Sequence, residues 1–180
     1  MMRPAVEWDD VARNQPGALV LLREIILPLS LLAPTATYFG IQMFNVEWNA
    51  EYGYSMMRDR APVIVVATYV FEVVSIYMLA GVFYLLARSE GRHPSFLDAL
   101  RLSALGAIPL LLSGATLVIP FNVVFSMIAT LYSLYLYYLG ATRLIGIRES
   151  DATMFVGMAM LCMFILSGFL GAISAALGIT

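Results

Sequence analysis

Apolar residues in this chain fall into long runs separated by short polar segments, and the runs have the length of a bilayer. Ile25 to Phe44 is a stretch of 20 residues without a charge, which is what a helix needs to cross the hydrocarbon core. Asn45 to Arg60 is polar, and Val63 to Ala87 is a second apolar run broken only by Glu72. Arg88 to Asp98 is charged and carries Gly91 and Pro94, a loop composition. Leu102 to Leu139 is too long for one helix, and Pro120 followed by Asn122 is its natural break. Arg143 to Asp151 is again polar, and Ala152 to Leu177 completes the pattern. The pattern predicts an all-α fold, an integral membrane bundle of five transmembrane helices in a single domain over residues 1–180. The spans fall near 25–44, 63–87, 99–118, 121–139 and 152–177, after a cytoplasmic or interfacial segment at 1–24. The short link at Pro120 predicts that spans three and four form a tight antiparallel hairpin.

The ends of the chain add little to this pattern. Met1 to Leu22 lacks a basic region followed by an uninterrupted apolar stretch, so it does not read as a cleavable signal peptide. Around Trp8-Asp9-Asp10-Val11 two readings stay open: a short interfacial helix anchored by Trp8 and capped by Asp9 or Asp10, or a disordered tail. Trp48, Tyr52 and Tyr54 follow the outer end of span one, where aromatic rings favour the membrane interface.

Composition agrees with the bilayer assignment. Hydrophobic residues make up 61% of the 180 positions and charged ones 12%, where soluble domains carry about 25% charge. All ten basic residues are arginine. With the amino terminus inside, Arg3, Arg13, Arg23, Arg88, Arg92, Arg101, Arg143 and Arg148 face the cytoplasm and only Arg58 and Arg60 lie outside. Eight against two predicts a cytoplasmic amino terminus and an external carboxyl terminus. A net charge of −2 argues against a nucleic-acid surface. The one cysteine, Cys162, forms no intrachain disulfide and reads as a small core residue. No internal repeat is evident, and an odd span number argues against a transporter built from two inverted halves.

Signatures of catalysis are missing. His93, the one histidine, sits in a polar loop beside Arg92 and Pro94 with no second ligand nearby. No nucleophile elbow and no glycine-rich phosphate loop occurs. The expectation is a protein without catalytic, cofactor-binding or metal residues, hence not an enzyme.

Glu72 is the exception to the pattern. It lies nine residues into span two, about 14 Å along the helix and near the bilayer midplane. A charge there costs about 2.5–3.5 kcal/mol on insertion scales, so Glu72 must be neutral, paired or facing water. Two readings stand beside each other: a proton-linked or cation-binding carboxylate, and a hydrogen bond that glues helices together. Counting to similar depth reaches Pro34 and Thr35 in span one, Pro109 in span three and Thr130 in span four. Each proline removes a helical donor, from the Ser30 and Leu105 carbonyls respectively. Span four also carries a polar stripe, Asn122, Ser126, Thr130, Ser133 and Tyr137, whose spacing holds one helical face. In span five Ser167, Gly171 and Ala175, with Gly168, Ala172 and Ala176 alongside, form a small-residue ridge suited to close packing within the bundle or in a homo-oligomer.

The run from Tyr132 through Ser133, Tyr135 and Tyr138 to Gly140, followed by Arg143-Leu144 and Arg148-Glu149-Ser150-Asp151-Ala152, resembles the signature of the bacterial-type branch of the Yip domain family. Pro94-Ser95-Phe96, Ala99-Leu100-Arg101, Pro109 and Pro120 extend the resemblance upstream, and Trp8 and Pro28 fit its usual start. It covers most of the chain and is most specific from Pro94 to about Met160. The resemblance implies five spans with a cytoplasmic amino terminus, and in eukaryotic relatives a membrane-organising or trafficking role through Ypt/Rab GTPases. The Asp-Leu-Tyr-Gly-Pro motif of the eukaryotic amino-terminal segment is absent, so GTPase binding does not carry over.

The functional expectation is a non-enzymatic scaffold or partner-binding protein of the bacterial cytoplasmic membrane. A cytoplasmic protein partner would meet Arg88, Arg92, Arg143 and Arg148. The alternative is a small channel or proton-linked transporter with a midplane site of Glu72, Thr35, Thr130 and Ser133, shaped by kinks at Pro34 and Pro109.

Overall fold

The structure, a computed structural model, describes residues 4–44, 57–118 and 123–176. Among these residues the chain is helical and contains no strand. A short amino-terminal helix, Pro4–Asn14, precedes five helices long and apolar enough to cross a membrane: Ala18–Gly40, Ala61–Ser89, Phe96–Val118, Val123–Ile145 and Glu149–Phe169. Their order along the chain alternates direction, so residues 4–17, 89–95 and 146–148 gather at one end of the bundle. The expected Pro120 break, the aromatic residues Trp48, Tyr52 and Tyr54, and Leu177 lie outside the described residues.

Two span boundaries differ from the hydropathy pattern. The first span begins at Ala18 rather than near 25, through a π-helical turn, Leu21–Ile26, that carries Arg23 and Glu24. Both charged side chains are exposed on the helix. The fourth span runs to Ile145, past the expected end at 139, through a second π-helical turn, Ala141–Ile145, that carries the exposed Arg143. In each case a charged side chain at the membrane edge points away from the core. The backbone keeps its helical hydrogen bonds, so a charge ends the apolar run without ending the helix.

The third span is the axis of the bundle. Over half of its most apolar stretch is buried, 56%, against at most 28% for any other span. Glycines let neighbours approach this axis. The Tyr137 ring lies directly on Gly106, and Ala33 Cβ would stand 2.6 Å from a Cβ at Gly114. Spans two, four and five meet through Phe83, whose ring centroid lies 5.4 Å from that of Tyr137 and 5.7 Å from that of Phe155. Exposed apolar side chains such as Leu131, Phe164 and Phe169 cover the outside, where hydrocarbon would solvate them. Cys162 is half-buried and packs against the core.

The amino-terminal segment forms a helix that is docked on the bundle. Trp8 is 1% exposed and packs into the core cluster with spans three and four. Asp9 and Asp10 sit inside the helix and cap nothing; Asp9 pairs with Arg143 at 2.5 Å and Asp10 pairs with Arg13.

Candidate functional site

The end of the bundle that carries the amino-terminal helix is assembled from three chain segments, each with a local reason for its shape. Span three starts with a capping box. The Ser95 hydroxyl accepts from the Asp98 N–H at 3.1 Å, and Asp98 Oδ2 accepts from the Ser95 N–H at 3.1 Å. The other Asp98 oxygen accepts from Arg101 at 2.6 Å, which aims the guanidinium at the end of the amino-terminal helix. There Gln15 takes a left-handed conformation, φ 41°. Arg101 donates to the Gln15 and Pro16 carbonyls, both at 2.9 Å. Although 4% exposed, its charge is matched by one carboxylate and two carbonyls, the condition for burying a charge without large loss.

Trp8 closes the same joint. Gly140 leaves the room for it: a Cβ there would stand 2.9 Å and 3.0 Å from two Trp8 ring carbons and would also collide with Leu102. The indole Nε1 is buried without a hydrogen-bond partner, so shape rather than polarity holds the ring.

The two remaining segments are tight turns. Span two ends with Gly91 at φ 72°, and the Arg92 N–H donates to the Ala87 carbonyl at 2.9 Å. Span four ends with Gly146 at φ 75°, and the Ile147 N–H donates to the Ala141 carbonyl at 3.2 Å. Both are glycine-terminated helix ends; in the first the sixth residue bonds back to the first, and in the second, after a π-helical turn, the seventh does. Arg92 and Arg148 are therefore carried by fixed turns.

Of the arginines expected to form a partner surface, Arg143 pairs with Asp9, and Arg88 donates to the Tyr84 hydroxyl at 2.9 Å while lying 5.4 Å from that ring's centroid. Arg92 is half-buried and Arg148 exposed, and neither guanidinium pairs with a described residue. Residues 1–24, 88–101 and 143–151 together hold eight arginines and eight acids. The surface is mixed in sign rather than basic, and Arg13, Arg101 and Arg143 pair with acids of the same end.

The residues expected at the midplane do not all turn inward. Thr35 and Thr130 are exposed. Each hydroxyl donates to its own helix: Thr35 to Leu31 and Leu32 at 2.6 and 3.0 Å, Thr130 to Ser126 at 2.7 Å. A threonine satisfied in this way can face hydrocarbon at little cost. Pro34 is buried and Pro109 half-buried, the latter beside a break where the helix ends at Gly106 and resumes at Ile108. Glu72 is half-buried with Oε2 sealed and unpartnered, and Ser133 is 2% exposed with its hydroxyl unpartnered. Ser30 belongs with them, fully buried and unpartnered. A hydropathy pattern passes over a lone serine; its place four residues after Ile26 on the inward stripe was the available signal. Among the described residues no three of His, Cys, Asp and Glu gather as a metal site.

The signature run lies across these features. Ser133, Tyr137 and Gly140 are buried toward the third span and Trp8, Tyr138 packs at the core's edge, and Tyr132 stacks on Tyr135 at 6.3 Å. The Yip1 domain matches residues 1–171. The chain belongs to the Yip1 domain family. No curated protein and no solved structure matches it. The Yip1 domain here takes in the docked amino-terminal helix as well as the five spans, and Gly140 is the seat of that helix. In the small-residue ridge of span five, Gly168 has open space where a Cβ would lie and Ser167 is half-buried; the side chains from residue 170 onward are outside the described ones.

Proposed function

We propose that this multi-pass membrane protein of the Yip1 family is a non-enzymatic scaffold of the bacterial-type branch, seated in the bacterial cytoplasmic membrane with its helix-capped end in the cytoplasm. That end binds a soluble protein partner carrying acidic groups. One observation carries the reading: Arg92 and Arg148 project from two glycine-terminated turns beside an amino-terminal helix that Trp8 and Arg101 fix in place. A surface held rigid before contact binds with less ordering cost, and two guanidinium groups without internal partners are its available donors. The channel or transporter alternative loses two of its side chains, because Thr35 and Thr130 face outward.

The test is photocrosslinking in cells. A photoreactive residue beside Arg92 or Arg148 gives a discrete adduct to a soluble protein, and the same group at Leu131 or Phe164 gives none. The double variant Arg92→Glu, Arg148→Glu abolishes the adduct, while Thr35→Ala does not. An adduct unchanged by charge reversal sinks the proposal.

A further inference from the structure

Ser89 closes the second span and Phe96 opens the third, so the joint between them stands where hydrocarbon gives way to headgroups. Three side chains meet there. Arg88 Nη1 donates to the Tyr84 hydroxyl at 2.9 Å, and the guanidinium carbon lies 5.4 Å from the Tyr84 ring centroid. The Tyr84 ring in turn meets Phe96 edge to face, with 6.0 Å between centroids. Leu85 and Phe96, both exposed, carry apolar surface beside the charge.

The direction of Arg88 sets it apart. An arginine in the last turn of a span ordinarily extends its stem toward water and keeps its charge hydrated. Arg88 instead runs back along its own helix to a residue four positions earlier, about 6 Å deeper along the axis. The helix ends on either side hold this arrangement. The Gly91 N–H donates to the Arg88 carbonyl at 3.1 Å and the Arg92 N–H to the Ala87 carbonyl at 2.9 Å, while the Ser95–Asp98 capping box fixes the turn that carries Phe96.

An anion would complete the cluster. Arg13, Arg101 and Arg143 each pair with a carboxylate, but among the described residues none pairs with Arg88. The Tyr84 hydroxyl accepts from one guanidinium nitrogen and leaves the remaining N–H groups of the fork for another acceptor.

We propose that Arg88, Tyr84 and Phe96 bind the headgroup of an anionic phospholipid, with the guanidinium on its phosphate and Leu85 and Phe96 against its acyl chains. The guanidinium fork matches phosphate oxygens, and aromatic rings favour this depth of the bilayer. Position decides for a lipid over a soluble anion, because the charge is drawn toward the membrane and flanked by exposed apolar side chains. Charge decides for an anionic lipid over a zwitterionic one. A zwitterionic headgroup brings its own ammonium to its phosphate, whereas one without it leaves that charge to the arginine, and residues 88–95 hold Arg88 and Arg92 against a single acid, Glu90. Lipid binding at Arg88 is independent of the soluble partner read at Arg92 and Arg148.

The experiment titrates the full chain, in a neutral detergent, with phosphatidylglycerol, phosphatidylcholine or glycerol phosphate, and native mass spectrometry reads the bound molecules. Wild type retains phosphatidylglycerol about tenfold more tightly than phosphatidylcholine, and glycerol phosphate does not compete. Arg88→Gln weakens phosphatidylglycerol about tenfold, and Tyr84→Phe, which keeps the ring but frees the guanidinium, about threefold. Arg148→Gln makes the same charge change at the same end and leaves binding unchanged. In membranes holding wild type, phosphatidylglycerol with a photoreactive group near its headgroup labels Leu85 or Phe96, a readout that does not depend on variant folding. Equal retention of the two lipids, equal loss in Arg88→Gln and Arg148→Gln, full competition by glycerol phosphate, or labelling that misses both residues overturns the proposal.

Discussion

Arg101 shows how one side chain joins distant parts of the chain. Its three hydrogen-bond partners come from the start of its own helix and from Gln15 and Pro16, more than eighty positions earlier. Replacing it with methionine leaves a carboxylate and two carbonyls without their donor, and the expected loss is about 3 kcal/mol. Arg101→Lys keeps the charge but not the fork that reaches all three acceptors, so it should fall between wild type and methionine. Thermal unfolding in detergent measures both. Gly140 acts through what it lacks. Gly140→Val brings a side chain against Trp8 and Leu102, with an expected cost of about 1–3 kcal/mol from overpacking. Adding Trp8→Leu should restore part of that loss, because the two positions share one contact; strictly additive losses would show that the glycine serves something else.

At the scale of elements, the amino-terminal helix depends on its docking. Eleven residues are too few for an isolated helix to persist in water, so the packing of Trp8 and the grip of Arg101 maintain it. Trp8→Ala should remove about 3–5 kcal/mol and release the helix, which limited trypsin digestion reads as rapid cleavage after Arg13 in the variant and slow cleavage in wild type. The Arg143–Asp9 pair is a smaller contribution. Both side chains are about half exposed, 42% and 47%, so Asp9→Asn should cost below about 1 kcal/mol and the difference should vanish in high salt. The five spans were readable from apolar runs because hydrocarbon requires about 20 continuous apolar residues. Their ends were less readable. Arg23, Glu24 and Arg143 interrupt the apolar pattern while remaining on helices, since a side chain at the membrane edge can extend outward and leave the backbone bonds intact.

Across the whole molecule, the arginine count predicts the orientation. A cysteine placed at Arg92 or Arg148, in a background with Cys162→Ala, should react with a membrane-impermeant maleimide only when the cytoplasmic side is opened. Labelling from the outside in intact cells would reverse the assignment, as would a cytoplasmic signal from a reporter fused after Thr180. The eight arginines and eight acids of residues 1–24, 88–101 and 143–151 make that end mixed in sign, so partner selectivity there belongs to groups left unpaired, Arg92 and Arg148 among them. Counting arginines alone does not reveal this pairing, because Arg143 and Asp9 lie 134 positions apart and Arg101 and Gln15 lie 86 apart.

Helix, span number and family were determined by the sequence itself. Lipid accepts only backbones that satisfy their own hydrogen bonds, and the family match runs over residues 1–171. Tertiary structure alone decided which polar side chains turn inward. Thr35 and Thr130 match Ser30 and Ser133 in polarity and depth, yet the threonines face out on their own carbonyls while the serines are sealed in the core. Periodicity places residues on one face of a helix, but which face meets the third span depends on where Gly106, Gly114 and Gly140 admit a neighbour. Those are contacts between residues far apart in the chain.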